Sequence, residues 1–132
     1  MAGTDDNKNG ISMSLKRRRI LIYKETLRSI GAPQNIRFLL NMKKKRIAVQ
    51  ACEAIDRDSF IVPELSTMGD AQYEITSITF VRMVYKLAGW NENLTYRIMG
   101  TVYPQNRLVE YELGNAMIIA DEEFVDPENS ER

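Results

Sequence analysis

Two runs of four cations are the residues most able to do chemistry: Lys16-Arg17-Arg18-Arg19 and Lys43-Lys44-Lys45-Arg46. Adjacent cations repel one another. A polyanion laid along them relieves that repulsion and releases its own condensed counterions. With Lys24 and Arg28 in support, these residues are the candidate nucleic-acid contacts, with the arginines doing any sequence reading. A solvated strand end and a solvated turn would carry the same side chains without a partner. The recurrence of the run is what favours the polyanion.

Other chemistry is thinly supplied. The chain has no histidine, which removes the commonest general base and the commonest metal ligand. Cys52 has no histidine to activate it and reads as a small packed thiol. Asp56 and Asp58 are spaced like the opening of a calcium loop, but the glycine and glutamate such a loop needs do not follow. Asp121-Glu122-Glu123 could hold a hard cation only loosely, and Asn93-Leu94-Thr95 matches a glycosylation sequon that a cytoplasmic chain would not use. Tyr23, Tyr85, Trp90, Tyr96 and Tyr103 could stack on bases, although their spacing is that of packing residues. No catalytic constellation, metal site or cofactor is expected, and the chain reads as a non-enzyme.

The elements that must position the basic runs fit one domain. The chain has 132 residues, of which 44% are apolar and 27% charged, enough for a single core. No apolar run approaches the roughly 18 residues of a membrane span. No signal-peptide stretch follows the polar start MAGTDDNKNG, and a lone cysteine suits a reducing cytoplasm. The formal charge of zero hides a division. Residues 1–50 hold 12 Lys/Arg against three acids, a net of +9, and residues 51–132 hold six against 15, a net of −9. Such asymmetry points to a polyanion-binding face or an interaction tail.

Residues 1–11 read as a disordered arm, 12–124 as a single α+β domain and 125–132 as an acidic tail, with mobility expected at both ends. Ile20 and Ile22 mark a strand, and a helix is expected over about 24–30, stopped by Gly31 with Pro33 beyond. IRFLL and IAVQAC flank NMKKKR as a β-hairpin with a basic tip, and FIVP is a further strand. LSTMGDAQ is the internal boundary. YEIT is then a strand, residues 77–88 a helix closing at Gly89, and Tyr96, Ile98 and Val102 one strand. A PQN turn, the alternating LVEYEL and a last short strand in AMIIA complete the chain. The order is a duplicated β-α-β-β-(β), over 16–64 and 73–120. The expected core is Ile22, Leu27, Ile30, Phe38, Leu40, Ile47, Val49, Phe80, Val84, Leu87, Ile98 and Val109.

RRILIYKETLRSIG followed by a hairpin resembles the SpoVT/AbrB-like family of small DNA-binding regulators, over roughly Lys16 to Gln50. Arg19, Ile20, Ile22, Lys24, Glu25, Ile30 and Gly31 fall on matching positions, while Arg18 replaces the family glycine and Tyr23 the proline. The resemblance implies interlocked β-α-β-β copies with cations of the first strand and helix on DNA, the second half of this chain supplying the second copy. The repeated order is also similar, in architecture only, to one domain of a DNA sliding clamp. The expectation is therefore a nucleic-acid-binding regulator, with DNA as the partner. The rival is a protein-interaction module, a homo-oligomer pairing basic and acidic faces or assembling like a clamp. A pocket for a small molecule is the third possibility.

Overall fold

The structure, a computed structural model, describes residues 9–68 and 72–119. Ile11 and Met13 alternate with Ser12 and Ser14 in β1 (Gly10–Ser14), as Ile20 and Ile22 alternate with Arg19 and Leu21 in β2 (Arg19–Ile22). The two-residue period turns the four large apolar side chains to one face, where none is more than 1% exposed. The chain continues through α1 (Lys24–Ser29), β3 (Asn35–Asn41), β4 (Arg46–Ala51), β5 (Phe60–Ile61) and β6 (Tyr73–Ile75). Then follow α2 (Ile78–Ala88), β7 (Thr95–Met99), β8 (Thr101–Tyr103), β9 (Leu108–Glu112) and β10 (Met117–Ile119).

The strands form two antiparallel five-stranded sheets, ordered β10-β7-β1-β2-β6 and β5-β3-β4-β9-β8, and with the two helices they make an α+β fold. β1 is the central strand of the first sheet, which corrects the arm boundary. Asn9 and Ile11 are buried, and Gly10 pairs with Met99. A five-residue strand diluted by glycine and two serines carries little apolar signal, yet it is paired on both sides and buried along its whole length. Residues 1–8 of the expected arm, and everything from 120 onward including the acidic tail, lie outside the described residues.

One core joins both sheets and both helices. Of the expected core positions, Ile22, Leu27, Ile30, Ile47, Val49, Val84, Ile98 and Val109 are buried, and Phe38, Leu40, Phe80 and Leu87 pack against them. α2 ends where Gly89 takes a left-handed φ of 71°, a conformation that costs glycine little. Its Tyr85 hydroxyl reaches across to the first sheet, 3.0 Å from the Met13 carbonyl and 2.6 Å from that of Leu94.

The expected single strand through Tyr96, Ile98 and Val102 is two strands, β7 in the first sheet and β8 in the second. The break falls at Gly100, where a Cβ would overlap Val109 and lie 2.7 Å from Tyr111 Cε2. The returning arm divides in the same way, β9 pairing with β8 and β10 with β7. This long hairpin therefore spans both sheets. The β-α-β-β-β order does occur twice, but in unequal settings. The β3–β4 hairpin stays within one sheet, and its counterpart is shared between two.

Candidate functional site

Both basic runs sit on hairpin tips, and the two tips have the same construction. Residues 15–18 turn β1 into β2, and residues 42–45 turn β3 into β4. In the first, the Arg17 N–H donates to Ser14 Oγ at 3.1 Å. In the second, the Lys44 N–H donates to Asn41 Oδ1 at 3.0 Å. The last turn residue is left-handed in each, Arg18 at φ 58° and Lys45 at φ 55°. A short polar side chain closing a turn onto the third residue beyond it is the local chemistry that Ser and Asn supply. Three consecutive cations are thereby carried into solvent on each tip: Lys16, Arg17 and Arg18, and Lys43, Lys44 and Lys45, all exposed.

The tips have different neighbours. The first stands by Ile78 and Arg82 of α2 and by Glu92 and Asn93. The second is tied by its Lys45 carbonyl, which accepts the Leu113 N–H at 3.1 Å. Lys16, Arg18, Lys43, Lys44 and Lys45 form no ion pair with a described residue.

The other sequence-derived candidates are placed differently. Arg46 opens β4 between two acids, 3.5 Å from Glu110 and 3.8 Å from Glu112. Arg28 is held by Glu25 at 2.8 Å on α1, and Lys24 is the first residue of that helix. Arg19, half-buried at the start of β2, lies 3.9 Å from Glu74. The charge division along the chain is thus partly cancelled in space, because Arg19 and Arg46 from the basic half meet glutamates from the acidic half.

Sequence reasoning missed Arg97. It projects from the outer face of the first sheet, directly opposite Ser12 and Met117 in the neighbouring strands. Its guanidinium carbon lies 5.4 Å from the centre of the Tyr23 ring, a cation–π distance. Its Nε is buried with no hydrogen-bond partner. Ser12, Ser14, Arg17, Arg19, Tyr23 and Arg97 surround a recess of about 160 Å³ there. Burial raises the Tyr23 phenol above its usual pKa, with Arg97 opposing, so the ring stays neutral at pH 7. The signal for Arg97 was its alternation with Tyr96 and Ile98. Its partners, some 85 residues distant by the Ser12–Arg97 register, had no local signal.

The remaining candidates have structural settings. The Cys52 thiol is raised, first by burial and then by Asp56, away from the thiolate a nucleophile needs. Asp56 accepts the Glu53 N–H within its loop, and no group of three or more His, Cys, Asp or Glu among the described residues could hold a metal ion. Trp90 stacks on Tyr96 at 4.2 Å and meets Tyr85 edge-on at 5.1 Å, so these rings pack on one another. No helix among the described residues is long and apolar enough to cross a membrane. No known family, curated protein or solved structure matches the chain.

Proposed function

We propose that the chain is a non-enzymatic nucleic-acid-binding regulatory protein, working on DNA in a reducing cytoplasm. The observation that carries this reading is the pair of like-built hairpin tips, each holding three consecutive cations in solvent. Lys16, Arg17, Arg18, Lys43, Lys44 and Lys45 are the phosphate contacts, and Arg19 lies at the margin of the first tip. Lys24, Arg28 and Arg46 support the positive field less, Arg28 and Arg46 because carboxylates already hold them.

A salt-dependent titration against duplex and single-stranded DNA tests this, run beside sedimentation of the free protein. Each phosphate contact contributes about −0.9 to the slope of log affinity against log salt, so four to six contacts give a slope of about −4 to −5. Replacing Arg17, Arg18 and Arg19 with alanine flattens that slope by about 2 to 3. Absence of binding at about 50 mM salt, where non-specific binders associate, overturns the reading. Salt-sensitive self-association without DNA would point instead to a module pairing its own charged faces.

A further inference from the structure

We infer that the first hairpin tip and α2 form one continuous basic surface, on which Arg82 and Lys86 are further phosphate contacts for a nucleic acid. The inference rests on the nucleic-acid reading and extends it to a helix from the acidic half of the chain. An open cleft of about 310 Å³ lies between tip and helix, at the lower end of the roughly 300 to 1,000 Å³ in which ligand sites fall. Lys16, Arg18 and Arg82 line it against one carboxylate, Glu92. All four are exposed, and none forms an ion pair with a described residue. Three cations less one carboxylate leave a surplus of two positive charges, which no described residue neutralises.

The helix gives the second argument. Its only charged residues are two cations, Arg82 and Lys86, both exposed and neither in an ion pair with a described residue. They stand one turn apart on the row that begins at Ile78, and Ile78 also lines the cleft. Like charges at that spacing repel and weaken a helix. The helix dipole accounts for Lys86 in the last turn, but not for Arg82 in the middle. A phosphate chain laid along the row relieves the repulsion within the helix and between helix and tip. The third argument is rigidity. The Tyr85 hydroxyl of α2 donates to the Met13 carbonyl of β1 at 3.0 Å, and Leu15, at the start of the tip, packs against the core. Tip and helix are thus joined before any ligand arrives, which lowers the ordering cost of binding. The second tip has the opposite surroundings. Glu110 and Glu112 stand beside Arg46 at its base, so the extension belongs to the first tip.

The test uses the full chain and a duplex oligonucleotide, with binding followed from about 50 to 200 mM salt. Arg82→Ala and Lys86→Ala together are expected to flatten the slope of log affinity against log salt by about 2, at about 0.9 for each contact. Alanine favours the helix and ends the repulsion, so the melting temperature should hold. Arg82→Gln with Lys86→Gln gives the same readout should the alanine pair fail to fold. Arg57→Ala is the control. Arg57 is an exposed cation that shares a cavity with Phe80 and Met83 rather than with the tip, and its removal should leave the slope in place. Flattening by about 1 or more, confined to the α2 substitutions, upholds the inference. Flattening by less than about 1, or as much per charge from Arg57→Ala, overturns it and leaves the nucleic-acid reading standing. Absence of wild-type binding at about 50 mM salt overturns both.

Discussion

Arg107 Nε donates to the Ile30 carbonyl at 3.2 Å, so a residue of the last hairpin closes the C-terminal end of the first helix. Gly31 leaves room for this contact, since a Cβ there would lie 3.3 Å from the Arg107 guanidinium, and its φ of 90° already favours glycine. Arg107 itself is left-handed at φ 51°, where the turn after residues 104–106 aims it back at the helix. A cation on a helix's last carbonyls is favourable in both charge and hydrogen bonding. Arg107→Ala is expected to cost about 1 kcal/mol, seen as a lower denaturation midpoint with the slope unchanged.

Gly100 is a steric requirement. Gly100→Ala forces a methyl into Val109 and Tyr111, both fully buried, at the point where the chain leaves one sheet for the other. Overpacking of this kind costs about 1 to 3 kcal/mol. Val109→Ala in the same chain should recover part of that loss, and a double-mutant cycle in chemical denaturation measures it.

Tyr111 places a phenol at full burial with no hydrogen-bond partner for its oxygen. Thr26 lies beside it, but the Thr26 hydroxyl donates to the Gly10 carbonyl at 3.0 Å. Tyr111→Phe removes only an unsatisfied group and should leave the melting temperature at pH 8 unchanged or slightly higher.

Alkaline pH should expose the same phenol. Burial raises the pKa of Tyr23, Tyr73 and Tyr111 in the folded chain above the usual 10.0. Unfolded phenols then lose protons first. The stability that depends on keeping these rings neutral is whole below pH 10 and falls as pH climbs above it. Denaturant midpoints followed across that range should decline, and Tyr111→Phe should decline less steeply than the wild type.

Arg46 and the three lysines before it should separate in experiment although they adjoin in sequence. Arg46→Ala loses two half-exposed ion pairs and should cost no more than about 1 kcal/mol, with little change in the salt slope of DNA binding. Alanine at Lys43, Lys44 and Lys45 together should flatten that slope by about 2 to 3 while the midpoint of unfolding holds.

How much of this was legible follows from the range of each signal. The β3–β4 hairpin and α2 showed themselves because their alternation or helical spacing is local and their stops, a polar turn and Gly89, are strong. β1 escaped because its serines and glycine dilute Ile11 and Met13, and only its pairing partners make it a strand. The split at Gly100 escaped because the residues that forbid a Cβ there, Val109 and Tyr111, belong to another strand. Among the candidate contacts, the tips were visible as composition. The glutamates that hold Arg46 depend on the register of β4 against β9, and the seat of Arg97 depends on that of β1 against β7. Neither register has a local cue.

The pairing of β1 with β7 has a consequence in the order of synthesis. Ser12 and Arg97 become neighbours only once the ribosome has released the chain past β7, so a polypeptide that ends before Thr95 leaves β1 paired with β2 alone. Until then the strand that ends up central has one open edge, whose unpaired backbone groups are able to recruit another chain.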